Sequence, residues 1–274
     1  MTVRQRHAVM QLDELRYEPI DKRIRGQAGD RTVVDTRRAV LVWEPRRVVP
    51  HYAVPEADVE GEIVAPSGEG DGDADAGDLR LGELRIVDPS VPFTVHTADG
   101  ESVAIRAGDR DVAAFRPADP ALTGLLLVDF DGLDAWYEED ERNVAHPRDP
   151  FHRIDILHSS RHVRVEAGRQ VLADTTSPYL LFETSLPVRY YLPAEDVNTD
   201  LLAPSGTRTW CAYKGEASYW SAPGEADVAW TYRDPLREAA EVTDRIAFFN
   251  ERVDTVVDGE PLDRPVTPWS PRPS

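Results

Sequence analysis

The chain has 274 residues, 41% of them hydrophobic, and a formal net charge of −19. That length supports two cores of roughly 100–120 residues each, while the acidity argues against nucleic acid and anionic membrane surfaces as partners, because phosphate binding needs clustered Lys and Arg. Cys211 is the single cysteine, which excludes an internal disulfide and a cysteine-rich zinc site.

Residues 1–27 read as an N-terminal extension. They lack the apolar segment and small-residue cleavage site of a secretion signal, and no run approaches about 18 apolar residues. Neither secretion nor membrane spanning is indicated, and a cytoplasmic location is expected.

From residue 28 the chain states one pattern twice. Residues 28–44 and 51–68 align with 167–183 and 189–206, with 14 of the 35 paired positions identical, where average composition predicts roughly two or three. The pattern implies tandem related domains, a first at 28–142 and a second at 162–274 joined by an ordered connector at 143–161.

In the first domain Thr32–Asp35 and Ala39–Glu44 are short β-rich runs split by a basic turn, and 54–58 reads as a loop. An insertion at 69–83 is small and acidic, as expected of a surface loop. Its Asp71, Asp73 and Asp75 imitate a calcium loop, but Ala76 and Gly82 stand where that loop needs Gly and Glu. The run 95–105 carries a Gly100-Glu101 turn, and Asp119-Pro120 predicts a helix over the apolar run that follows.

The connector region holds His146, His152, His158 and His162. Their spacing matches no metal-binding pair of a strand or helix, so they are expected to hydrogen-bond the two domains together. No metal and no cofactor is expected.

In the second domain Val171–Asp174 and Tyr179–Glu183 repeat the opening strands. Thr207–Tyr213 and Tyr219–Ser221 predict a hairpin turning at Lys214-Gly215-Glu216, and Val228–Tyr232 is a further strand. Asp234-Pro235 predicts a helix reaching Phe249, with Leu236, Ala239, Ala240, Val242, Ile246 and Phe249 as its apolar stripe.

The two copies diverge in chemistry at this hairpin. Aligned on Gly100-Glu101 and Gly215-Glu216, the first copy has His96, Ala98 and Asp99 where the second has Cys211, Tyr213 and Lys214. Nearby, Tyr191 faces Ala53, Arg189 faces His51 and Trp230 faces Ala114. The second copy thus offers a pocket walled by Trp210, Tyr219, Trp220 and Trp230, with Cys211, Tyr213 and Lys214 at its polar end. Glu183, Arg189 and Tyr191 add polar groups that could orient a ligand, although Glu183 repeats Glu44 and so equally suits a framework role. The alternative is that the aromatics fill one domain's core. A Lys214 ammonium close to Cys211 would favour a nucleophilic thiolate, but in a strand residues i and i+3 face opposite ways, so Lys214 is expected instead as a fixed cation for a carboxylate or phosphate ligand.

The runs LLFETSLPVRYYLPAEDV, CAYKGEASYW, ADVAWTYRDPL and AFFNERVD resemble the bacterial domain-of-unknown-function family 427, also labelled a nucleotidyltransferase, over residues 162–269. The first copy is similar to the degenerate leading domain of its two-domain members. Strand runs followed by one short late helix in each copy indicate a mainly β protein, and the resemblance implies a tandem of two β-tent-like domains, in which two antiparallel sheets meet at an angle over a ligand-accepting cleft. The family's cysteine-tyrosine-lysine-glycine element falls on Cys211, Tyr213, Lys214 and Gly215, with Ala212 in place of a proline. Nucleotidyl transfer requires a carboxylate pair for Mg²⁺ and a phosphate cradle. The nearest pair to the hairpin is Asp196 and Asp200, and Asp196 has a twin in Asp58.

The leading expectation is a small organic ligand bound in the second domain's aromatic cleft. An enzyme acting through Cys211 and Lys214, or by nucleotidyl transfer, is the first alternative. A protein-interaction adaptor using exposed aromatics and the acidic loop is the second.

Overall fold

A computed structural model describes residues 12–66, 80–81, 84–168 and 170–270. Of the insertion expected at 69–83, only Arg80 and Leu81 are among them, so the three spaced aspartates lie outside the described residues. The chain divides into two compact units, Met1–Asp149 and Pro150–Ser274. No helix among the described residues is long and apolar enough to cross a membrane.

The first unit contains β1 (Arg16–Pro19), β2 (Ile24–Ala28), β3 (Arg31–Thr36), β4 (Val40–Trp43), β5 (His51–Pro55), β6 (Glu62–Val64), β7 (Arg80–Leu81), β8 (Leu84–Arg85), β9 (Gly100–Ala107), β10 (Arg110–Pro117), β11 (Leu125–Val128), β12 (Ala135–Glu138) and β13 (Glu141–Asn143). The second contains β14 (Ile154–His158), β15 (Val163–Ala167), β16 (Gln170–Thr175), β17 (Tyr179–Glu183), β18 (Arg189–Leu192), β19 (Ala203–Cys211), β20 (Gly215–Ala222), β21 (Glu225–Tyr232), β22 (Ile246–Phe248), β23 (Asp254–Val257) and β24 (Glu260–Pro261).

Each unit is built on a seven-stranded antiparallel sheet, β1-β4-β5-β11-β10-β9-β6 in the first and β14-β17-β18-β22-β21-β20-β19 in the second. A four-stranded sheet accompanies each, β13-β12-β2-β3 and β16-β15-β23-β24. The strand order is the same in both, so the sequence repeat is a repeat of topology. The repeat also starts earlier than the identities do. β1 and most of β2 come from the stretch expected as an N-terminal extension, and β14 comes from the expected connector; both β1 and β14 are outer strands of the large sheets.

The two cores obey strand alternation. One apolar cluster in the first unit draws Ile24 and Val33 from the small sheet and Leu41, Tyr52, Ile105 and Leu126 from the large one. Its counterpart draws Val163 and Leu172 from the small sheet and Leu180, Leu192, Ala229 and Phe248 from the large one. Successive residues of a strand face opposite ways, so the large sheets bury a second apolar layer on their far faces, including Leu127 and Phe115 in one unit and Leu181, Tyr191 and Trp230 in the other.

That double burial shortens the two predicted helices and turns their apolar ends into strand. The run Leu125–Val128 is the strand β11 and Ile246–Phe248 the strand β22, each in the interior of its sheet. A strand covered on both faces is apolar without alternation, and over so few residues its pattern cannot be told from a buried helix. What remains helical is a 3₁₀ turn at Pro120–Leu122, where Asp119 does accept the Ala121 N–H as a cap, and another at Arg237–Val242.

Candidate functional site

The large sheet of the second unit presents a far face that gathers most of the expected site residues. Cross-strand pairing runs Tyr191–Ala247–Trp230–Tyr219 over β18, β22, β21 and β20. Thr209 pairs with Ala217, and Cys211 with Gly215, in register with that row. Glu183 lies two residues beyond Leu181, the partner of Arg189, so Glu183, Arg189 and Tyr191 share this face. Trp210 and Trp220 do not. Each is one residue out of register, so Trp220 packs against the cluster between the sheets and Trp210 is 55% exposed. The four-walled aromatic pocket is therefore split between two faces, and only Tyr219 and Trp230 stand with the thiol.

The turn between β19 and β20 falls at Ala212–Lys214, slightly earlier than expected, and Gly215 follows with φ +90°. This turn carries Lys214 round to the face of Cys211, which the strand alone would not do. The Lys214 Nζ lies 2.6 Å from Glu183 Oε1, and both side chains are buried. His152 Nε2 lies 3.0 Å from the same oxygen, and its ring stacks on Tyr213 with centroids 4.5 Å apart.

Burial by itself would push the Glu183 carboxyl up, but the Lys214 ammonium and the His152 contact outweigh it and hold the group down at about 2. Burial likewise opposes the Lys214 charge, and the neighbouring Cys211 sulfur and Glu183 carboxylate overcome it, raising the ammonium above its ordinary range. Tyr191 is fully buried, which raises its hydroxyl, and that hydroxyl accepts a 3.1 Å hydrogen bond from Trp230 Nε1. The site thus holds a fixed carboxylate–ammonium pair beside a neutral phenol.

Arg189 has a different task from the one its position suggests. Both terminal nitrogens bond Glu251, at 2.7 Å each, and Thr267 donates to the same carboxylate. The guanidinium also lies over Trp230, Phe249 and Trp269. It ties the segment after β22 and the C-terminal residues onto the sheet, with its charge already matched. Glu251 was invisible in the sequence because nothing marks one glutamate in fifty acidic residues as a buried partner.

The site opens to solvent at its β19 side. Cys211 is partly exposed and accepts the Tyr213 backbone N–H at 3.5 Å. Tyr219 is half-buried beside exposed Thr209, their hydroxyls 2.7 Å apart. Phe249 continues the aromatic row, parallel to Tyr219 at 6.5 Å.

In the first unit the equivalent face is different. The row Ala53–Leu127–Phe115 occupies the lattice of Tyr191–Ala247–Trp230, so Phe115, not Ala114, stands in place of Trp230. The sequence alignment slipped by one residue here, which in a strand exchanges faces. Residues 93–99 form a loop instead of the hairpin strand suggested by Gly100-Glu101. That loop closes on Glu44, whose Oε1 accepts the Thr97 and Ala98 N–H groups at 3.1 Å each. Glu44 Oε2 lies 2.9 Å from His51 Nε2 and 3.1 Å from His96 Nδ1.

The four histidines around the unit boundary meet separate partners. His146 contacts the Pro147 carbonyl, His152 Glu183, His158 the Ser177 hydroxyl and His162 Asp174. Asp196 accepts the Thr175 hydroxyl at 2.6 Å, as Asp58 does that of Thr36 at 2.5 Å, so this aspartate closes the same turn in both copies.

Residues 155–259 match the model of a family described as a domain of unknown function, DUF427. The matched stretch runs from β14 to the turn before β24 and so lies within the second unit. No curated protein matches the chain.

Proposed function

We propose that the second unit binds a small organic ligand at the open margin formed by Cys211, Tyr219 and Thr209. The observation that carries this reading is a partly exposed thiol and phenol at the edge of a face whose deeper members are the Glu183–Lys214 ion pair and the buried Tyr191, bonded to Trp230. A few polar groups fixed beside aromatic surface are what small-molecule recognition uses. Lys214 serves here through Glu183 and Cys211, because its ammonium is already paired, whereas an anion-binding lysine would stand free.

Thermal stabilisation of the full chain by members of a metabolite library tests the reading. Cys211→Ser and Tyr219→Ala are expected to weaken the stabilising compound at least about tenfold, or about 1.4 kcal/mol, while Trp210→Ala on the opposite face leaves it unchanged. Equal loss in all three places the ligand elsewhere.

One observation favours an enzyme reading of the same site: the turn after Cys211 brings the buried Lys214 round to the face of the partly exposed thiol. An adjacent cation favours the thiolate as nucleophile. Cys211 is then expected to be alkylated by iodoacetamide, forming the carbon–sulfur bond and releasing iodide and a proton, faster than free cysteine at neutral pH. Lys214→Met slows that reaction. A slow wild-type thiol removes this reading and leaves ligand binding standing.

A further inference from the structure

The first unit holds a cluster that neither the family match nor the second-unit site accounts for. We propose that Glu44, His51 and His96 bind a divalent transition-metal ion of the zinc class. One ligand atom from each lies within 4.8 Å of the others, and Glu44 and His51 are fully buried. Two imidazoles and a carboxylate form a donor set suited to zinc and its neighbours, with a fourth position left for water or a substrate atom.

The geometry is that of ligands converging on a shared point. Two donors at about 2.0–2.1 Å from one tetrahedral zinc ion lie about 3.3 Å apart, and Glu44 Oε2 is 2.9 Å and 3.1 Å from the two imidazole nitrogens. His51 Nε2 is close to Oε2 yet makes no aligned hydrogen bond, and His51 Nδ1 has no partner either. At His51 the buried nitrogen approaches the oxygen without aiming at it, the relation of two ligands to one ion, whereas His96 Nδ1 stands in hydrogen-bond geometry to the same oxygen and would exchange that contact for the metal. The remaining atoms are pre-set. Glu44 Oε1 is held by two backbone N–H groups, His51 meets Phe93 edge-on at 5.0 Å, and His96 stacks on Phe115 at 4.0 Å.

Comparison of the two units supplies a reason. The repeated glutamate is buried in both, and a buried carboxylate needs a directed positive partner. In the second unit Lys214 is that partner at 2.6 Å. In the first unit Arg47 is near, but its terminal nitrogens are on the carbonyls of Val91, Pro92 and Val95, and its Nε is 3.8 Å from Oε2 without a hydrogen bond. A metal ion fills the role that the ammonium fills in the other copy. His96 is 12% exposed, which gives the site its access to solvent.

Full-length protein stripped with a chelator and titrated with Co²⁺ and Zn²⁺ decides the matter. One equivalent of Co²⁺ is expected to bind with the visible absorption of a tetrahedral nitrogen–oxygen site, and Zn²⁺ to displace it. Loss of partners behind a ligand costs 10–100-fold in affinity, so loss of the ligand itself in His96→Ala is expected to cost at least about 100-fold. His158→Ala, at an exposed histidine of the second unit, leaves binding unchanged. Glu44→Gln disturbs a buried network, so the partly exposed His96 is the deciding position, with circular dichroism confirming its fold. Failure to bind one equivalent, or binding that His96→Ala leaves intact, overturns the proposal.

Discussion

Glu183 shows how one side chain sets the chemistry around it. Its carboxylate is stable in the interior because Lys214 and His152 meet a single oxygen. Removing either charge strands the other, and breaking such a pair typically costs about 3–5 kcal/mol. Lys214→Met is therefore expected to destabilise the second unit by that amount, against about 1 kcal/mol for His152→Ala, a hydrogen-bond partner only. Urea denaturation monitored in the second unit measures both. The pH dependence has a definite sign. The folded carboxyl is held at about 2 against an ordinary 4.5, so its contribution is complete above about pH 4.5 and is lost as pH falls through about 2. The stability difference between wild type and Glu183→Gln should hence be constant near neutrality and shrink in that acid window; a constant difference down to pH 2 contradicts the pairing.

At the scale of elements, the β19–β20 turn decides whether there is a site at all. Gly215 has φ +90°, a left-handed conformation that costs an L-residue about 1–2 kcal/mol, while an added Cβ would stand in ordinary contact with the Leu236 and Asp234 backbone at 3.4–3.5 Å. Gly215→Ala is expected to destabilise the turn by that margin and to slow Cys211 alkylation together with Lys214→Met. Normal thiol kinetics in a folded Gly215→Ala would detach the turn from the site. Strand register makes a second prediction. Phe115 takes the lattice place of Trp230, so Phe115→Ala should cost the first unit about 3–5 kcal/mol as a core truncation. Trp210→Ala, at an exposed position, should stay within about 0.5 kcal/mol. Equal effects would refute the assignment of faces.

At the scale of the molecule, two copies of one topology have divided their chemistry. The second keeps thiol, phenol and ammonium on its far face, and the first keeps a carboxylate between two imidazoles. Each copy rests on its own core. Leu192→Ala, at a fully buried position, is expected to cost about 2–5 kcal/mol, read as faster hydrogen exchange of β18 and β22 amides. Much of this plan was legible beforehand. The repeat, the mainly β class and the Asp119 cap follow from local pattern, because identities, turn residues and composition are properties of neighbours in the chain. The strand identity of Leu125–Val128 and Ile246–Phe248 was not, since an apolar run buried on both sides carries no period. Nor was the separation of Trp210 and Trp220 from Trp230, because one residue of register moves a side chain through the sheet. Two related halves, one with a thiol and an amine at its hairpin, are written into the order of residues. Which side chains share a face is settled by long-range pairing, since Glu183 and Lys214, Arg189 and Glu251, and Glu44 and His96 are separated by 31 to 62 residues and meet through strand contacts that no local signal specifies.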